Sequence, residues 1–190
     1  MQVDSKLLKR CRKNDRKAHN ELYRLCFGYL MAICLRYESN HEDAEALLNQ
    51  GFLKIVTHLD KYNPEIPFQS WISRVMVNTI IDQFRRNKKH RDHMSSVDLS
   101  DVKATSNVDY NEGAQLLEAE ELEKMIQQLP DMSRKVFNLF AIEGFSHKEI
   151  SEMLEISDGT SKWHVSFARK SLQEMIKKTM KRMMTLTLLF

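Results

Sequence analysis

The sequence predicts an all-α protein made of two small helical domains joined by a flexible linker, the second domain a helix-turn-helix. Three observations predict it. Five glycines and three prolines in 190 residues leave long stretches free of helix breakers and rich in Leu, Met, Glu, Lys and Arg. Apolar residues recur at helical spacing through both halves of the chain. Between about His90 and Asn111 that spacing fails, in a polar stretch holding Ser95-Ser96, Asp98, Ser100-Asp101, Thr105-Ser106-Asn107 and Asp109. A break of this length exceeds the usual loop inside a compact domain. The expected division is therefore a first domain over 1–90, a linker over 91–115 and a second domain over 116–190.

The first domain begins with a periodic stretch from Lys6 to Tyr37, broken near Asn14-Asp15. A second helix is expected from Glu42 to Tyr62 and a third from Phe68 to Asn87. Asn63-Pro64-Glu65-Ile66-Pro67 separates them, and its two prolines forbid a continuous helix. On the second helix Ala44, Leu48, Gly51, Phe52, Ile55 and Leu59 form the core-facing side. Asp43, Ala46, Asn49, Gln50, Leu53 and Thr57 form the other. An exposed leucine beside an amide and a carboxylate suits a protein partner, or it is ordinary surface carrying one stray leucine. The third helix is apolar around much of its circumference, with Phe68, Trp71, Ile72, Val75 and Thr79 on one side and Val77, Ile81 and Phe84 on the other. It is expected to be wedged between neighbours. Its remaining stripe is Arg74, Asn78, Asp82 and Arg85, leading into the run Arg85, Arg86, Lys88, Lys89 and Arg91. Arg74, Asn78 and Arg85 suit a nucleic-acid backbone, while Asp82 is spaced to pair with Arg86.

In the second domain Leu122, Met125, Ile126 and Leu129 carry helical spacing that stops at Pro130. A helix from Asp131 or Ser133 follows, with Val136, Phe137 and Phe140 on one side and Gly144 at its end. Ser146-His147-Lys148-Glu149 reads as a capping box opening a short helix with Ile150, Met153 and Leu154. Ile156 to Thr160 is expected to form a tight turn, with Ser157 or Asp158 capping the next helix. On that last helix Val165, Ala168, Leu172, Met175 and Ile176 form the buried stripe, and Trp163, Ser166, Phe167 and Lys170 fall opposite. Apolar, hydroxyl and basic groups on the second helix of a turn-linked pair are what a major-groove reader needs. An ordinary helical hairpin with two surface aromatics is the other reading of that pattern.

A formal net charge of +3 says little by itself, but the charge is unevenly spread. Lys162, Arg169, Lys170, Lys177, Lys178, Lys181 and Arg182 crowd the C-terminal end, while Glu118, Glu120, Glu121 and Glu123 gather elsewhere. Such patches fit nucleic-acid contact through chosen faces, or solvated helix faces. Three cysteines without a CxxC pair, and no secretory leader pattern, suggest free thiols in a reducing compartment, the cytoplasm. No apolar run approaches the roughly 20 residues of a membrane span; the apolar tail Met183 to Phe190 is too short. No phosphate-cradling glycine loop, HExxH or clustered carboxylates point to an enzyme, a cofactor or a small-molecule substrate. His90-x-x-His93 falls in the expected linker, where two solvated histidines are a better reading than a metal site.

The segment Asp43-Ala44-Glu45-Ala46-Leu47-Leu48-Asn49-Gln50-Gly51-Phe52-Leu53-Lys54-Ile55-Val56 resembles the clamp-binding helix of bacterial sigma factors of the extracytoplasmic-function (ECF) type. Phe68 through Arg86 is similar to the helix that follows in that family, which engages the promoter's minus-ten element. Leu129-Pro130 through Phe137, Gly144 through Ile150, and Gly159 through Lys170 resemble its second domain. The matches run in the family's order and cover most of the chain. The resemblance implies that Asp43, Gln50 and Leu53 meet the clamp helices of RNA polymerase core, with the flap as a further contact. It implies that the loop from Asn63 to Pro67 holds a flipped base while Arg74, Asn78, Arg85 and Arg86 touch promoter DNA around it. It also sets Thr160, Lys162, Trp163, His164, Ser166, Phe167, Arg169 and Lys170 at or near the minus-thirty-five element, with an anti-sigma protein as a possible further partner. Two departures stand out. Trp163, His164 and Phe167 occupy positions where the family often has small or basic residues, and Gly51 sits where the clamp helix commonly has an acidic or small one. A helix-turn-helix regulator that does not bind core polymerase, or a sigma mimic that sequesters an anti-sigma protein, are the alternatives.

Overall fold

The computed structural model describes residues 3–38, 40–94 and 119–187, with side chains for 3–38, 40–88 and 121–181. Helices and their connections account for all of them, with no strand among the described residues. The chain divides into two compact units, Met1–Met94 and Ser95–Phe190.

In the first unit, α1 (Ser5–Arg12) is capped by Asp4, whose carboxylate accepts the Lys6 N–H. Asn14 then takes a left-handed φ of 57°, which asparagine tolerates, and turns the chain. Asp15 caps α2 (Arg16–Tyr37) by accepting from the Lys17 and Ala18 amides at 2.8 and 3.2 Å. The break expected at Asn14-Asp15 thus has two causes, a left-handed residue and a new cap. Asn40 caps α3 (His41–Thr57) through the Asp43 amide at 2.7 Å.

The α3 helix stops at Thr57, short of the expected Tyr62, and tightens into a 3-10 turn over Leu59–Lys61. Pro64 disfavours helical backbone at Asn63, and Tyr62 is drawn instead into an aromatic cluster, 5.2 Å from Phe68 and 5.3 Å from Trp71. Beyond the proline loop, α4 runs over Phe68–Met94. It therefore continues past Asn87 and through the first four residues of the expected linker, and His90 and His93 lie on its last turns. Loss of apolar periodicity in a sequence does not by itself end a helix, since the backbone bonds can run on through polar residues. The rest of the expected linker, from Ser95, lies outside the described residues up to its end.

Helices α2, α3 and α4 pack on one another, with α1 against α2. Leu22, Leu30 and Tyr37 of α2, Leu47, Leu48 and Ile55 of α3, and Ile72 and Met76 of α4 are wholly buried. Leu47, Met76 and Ile80 were not among the expected core residues, whereas Phe52, Trp71 and Val75, which were, are half-buried. A helix flanked by more than one neighbour buries more of its circumference than the expected sides covered. Cys11, Cys26 and Cys34 are free and buried. Burial pushes the Cys26 and Cys34 thiols up to about 12, which keeps them protonated and unreactive.

The second unit holds α5 (Ala119–Gln127), α6 (Asp131–Ala141), α7 (His147–Leu154) and α8 (Asp158–Thr187). Pro130 ends the approach from α5, and α6 starts at Asp131. Gly144, at φ +78°, shapes the link to α7, a conformation that favours glycine. The capping box is present, with Ser146 Oγ accepting the Glu149 N–H and the Glu149 carboxylate accepting the Ser146 N–H at 2.8 Å. The α7–α8 turn lies one step earlier than expected. Glu155 takes a left-handed φ of 53°, Ser157 caps α8 through the Thr160 amide at 2.9 Å, and Asp158 to Thr160 already form its first turn. Met125, Ile126 and Leu129 pack with Ala168 and Leu172, joined at the margin by Leu122, Phe137, Met175 and Ile176. The α8 backbone is helical to Thr187, which includes most of the apolar tail.

Candidate functional site

On α3 the face opposite the core is open. Leu53 is 64% exposed, Asp43, Ala46 and Thr57 are exposed, and Gln50 is half-buried one turn before Leu53. Asn49 accepts a 2.8 Å hydrogen bond from the Tyr23 hydroxyl, and Tyr23 packs edge-on against Phe52 at 4.9 Å. The α3 face is thereby braced against α2 while its leucine stays uncovered. Asp43 Oδ2 accepts from the Asn40 amide group at 2.6 Å, so this carboxylate also belongs to the cap.

The loop from Asn63 to Pro67 is organised from within. Asn63 Oδ1 accepts the Glu65 N–H at 3.0 Å, and its Nδ2 donates to the Glu65 carboxylate at 3.2 Å. The Ile66 N–H donates to the Asn63 carbonyl, and the Tyr62 hydroxyl donates to the Ile66 carbonyl at 2.8 Å. Asn63 therefore shapes the loop with both ends of its amide. Ile66, which sequence reading left without a role of its own, is the loop's outward apolar group at 46% exposure.

Along α4, Arg74, Asn78 and Arg86 are exposed and Arg85 is half-buried. Asp82 does not pair with Arg86 as its spacing suggested. It accepts from Lys54 Nζ on α3 at 2.8 Å. The tertiary partner wins because α3 and α4 pack side by side, which brings a flexible ammonium onto the stripe. The stripe therefore presents Arg74 and Asn78 on one side of a locally neutralised carboxylate and Arg85 and Arg86 on the other.

On α8 the rings of Trp163 and Phe167 stack at 5.3 Å and 19°. Phe167 is 36% exposed and Trp163 half-buried, while Val165, Ala168 and Leu172 on the opposite side are buried. Lys162 and Lys170 are exposed; Lys162 pairs with Asp158 at 2.6 Å, and Ser166 is half-buried. Thr160 is tied into the cap by a 2.7 Å hydroxyl contact with Ser157. His164 departs from the outward face. Its Nδ1 lies 2.9 Å from Ser133 Oγ on α6, and its ring meets Trp163 edge-on at 4.8 Å. It braces the aromatic pair from beneath. Arg169 lies over the Phe140 ring at 5.5 Å, and Phe140 stacks on His147 at 4.5 Å, whose Nδ1 is 3.0 Å from Ser161 Oγ. Sequence reading missed Ser133, Phe140 and Ser161 because their role lies in contacts between helices.

Both histidines of this unit are pushed below the usual histidine range. For His164 the cause is burial. For His147 burial comes first, with Asp158 opposing it and Lys162 and Arg169 adding to it. A depressed folded value means the neutral ring is favoured by the fold. The stabilisation is complete above the unfolded value of about 6.5 and is lost as pH falls through the folded values. Urea midpoints of the second unit are thus expected to drop between pH 7.5 and 5.5. The double variant His147→Gln, His164→Gln should flatten that drop, and an identical drop in the variant would exclude these rings as its source.

Among the described residues no group of three or more His, Cys, Asp or Glu is arranged to hold a metal ion. No described helix is long and apolar enough to cross a membrane. Three outward faces are thus candidates for binding: an open leucine on α3, a cationic stripe on α4, and an aromatic and basic face on α8.

A family model described as ECF sigma factor matches residues 1–178. The chain is 24% identical over 181 residues to the ECF RNA polymerase sigma factor SigW of Bacillus subtilis (strain 168), spanning 90% of this chain and 96% of that one. It is 25% identical over 197 residues to the ECF RNA polymerase sigma-E factor of Escherichia coli (strain K12), spanning 95% and 97%. Among solved structures it is similar to the sigma factor RpoE in complex with the anti-sigma factor NepR from Bartonella quintana, at a TM-score of 0.48 and 23% identity over 83% of this chain and 96% of that chain.

Proposed function

The chain belongs to the ECF sigma factor family, and we propose that it directs RNA polymerase core enzyme to specific promoters and assists their melting at transcription initiation. The observation that carries this reading is the coexistence of an uncovered leucine on α3 with an outward aromatic and basic face on α8. A DNA-binding regulator needs only the second, and a mimic that sequesters an anti-sigma protein has no use for the cations on α8.

In this reading Asp43, Gln50 and Leu53 meet the clamp helices of the core enzyme. The loop from Asn63 to Pro67 receives a flipped base of the minus-ten element. Arg74, Asn78, Arg85 and Arg86 lie along the backbone near it. Unstacking one base costs a few kcal/mol, so a pocket that captures it traps opening fluctuations without making or breaking a covalent bond. Thr160, Lys162, Trp163, Ser166, Phe167, Arg169 and Lys170 face the minus-thirty-five element, with His164 holding Trp163 in place. The first domain ends with α4, the second opens near α5, and the segment between them is the linker. The site of action is the cytoplasm, with an anti-sigma protein as the expected regulator.

Reconstitution with core polymerase tests the proposal. Transcripts starting at defined sites are expected from a pool of upstream sequences when the chain is added, and none from core alone. Sequence-selective DNA binding by the chain without core association or added transcripts would replace it with the regulator reading.

A further inference from the structure

We propose that the stacked Trp163–Phe167 pair is a thymine reader for the upstream promoter element, taking the thymine C5-methyl against its rings and the O4 on the indole N–H. The inference rests on the promoter-binding reading above. It starts from what the pair offers chemically. Two parallel rings 5.3 Å apart present apolar surface. The indole adds one donor, and neither side chain has an acceptor.

In the major groove thymine alone sets an acceptor beside a methyl group. Cytosine and adenine present amino donors there, which these rings would cover without any acceptor in return, and a covered donor without a partner is costly. Guanine offers acceptors but no methyl. Thymine is the one base edge matched at both points.

Two further observations favour a fixed reader over a loose aromatic patch. His164 meets Trp163 edge-on at 4.8 Å and is itself held at 2.9 Å from Ser133, so the indole is braced before any ligand arrives. Rigid aromatic side chains give up little rotamer freedom on binding. The surroundings point to DNA rather than protein as the occupant. Between Thr160 and Lys181 the chain carries Lys162, Arg169, Lys170, Lys177, Lys178 and Lys181 against the single acid Glu174. That excess suits a phosphate backbone on either side of the reading face.

The test uses the full chain with core polymerase and needs no folding-sensitive variant to be decisive. Preferred upstream elements are selected from a randomised pool, and each thymine in them is then replaced by uracil, which removes only the methyl group. At one or two positions uracil is expected to weaken binding about fourfold, the worth of one buried methyl. Phe167→Ala should abolish that sensitivity, and Trp163→Phe should keep it while losing discrimination against 5-methylcytosine, whose amino group replaces O4. Selective binding that tolerates uracil at every thymine would overturn the inference. Unchanged promoter ranking in Trp163→Ala and Phe167→Ala, with loss of a protein complex, would also overturn it and reassign the pair to protein docking. Failure of the chain to support any promoter-dependent transcription would overturn the sigma reading itself, a separate outcome.

Discussion

Replacing Gln50 and Leu53 together by alanine is expected to lower affinity for core polymerase about ten- to a hundredfold, roughly 1.5–3 kcal/mol, with helicity and melting unchanged. Leu53 is 64% exposed on α3, and Gln50 lies one turn before it on the same side. Truncation there removes contact surface a partner would cover and takes nothing from the core. Alanine is also the stronger helix former. The neighbouring Leu48 supplies the contrast. It is wholly buried among α2, α3 and α4, so Leu48→Ala is expected to cost about 2–5 kcal/mol of stability while sparing the affinity of whatever fraction stays folded. Circular dichroism, urea denaturation and a core-binding assay separate the two effects. Core affinity within twofold of wild type in the double variant would make this face ordinary surface, and the assignment of α3 to the clamp would fall.

What could be read from the sequence was whatever depends on residues near each other along the chain. The break at Asn14-Asp15, the stop at Pro130 and the capping box at Ser146 are decided within a few residues, and each appears in the structure. The outward placing of Leu53 and Phe167 follows from helical spacing against a buried stripe. What could not be read depends on another helix. Asp82 has Arg86 at ideal spacing, yet Lys54 of α3 takes it. His164 follows the half-buried Trp163 on α8, yet its ring is engaged by Ser133 of α6. The internal bonding of the proline loop, in which Asn63 uses both ends of its amide on Glu65, was likewise not legible in the sequence. Periodicity also failed at the end of α4, where the helical backbone continues to Met94 through a polar sequence.

Met76→Ala is expected to cost about 2–5 kcal/mol, and adding Gly51→Ala should return at least about 1 kcal/mol of that loss. The reason is a close approach of α3 and α4. A Cβ built at Gly51 would lie 2.0 Å from the Met76 sulfur and 2.6 Å from its methyl carbon, and Met76 is wholly buried. At a position where the clamp helix commonly has an acidic or small residue, Gly51 is thus held to the smallest for a steric reason, since even one methyl group forces the thioether to move. In the wild-type background Gly51→Ala sets about 1–3 kcal/mol of overpacking against about 1 kcal/mol gained from better helix propensity. Its net effect is therefore small to moderately destabilising. With Met76 truncated the obstacle is gone, the new methyl enters the vacated space, and only the propensity gain remains. Equilibrium denaturation of the two single variants and the double closes the cycle. Simple additivity would mean that α3 and α4 do not meet at this pair, and the steric account of Gly51 would be wrong.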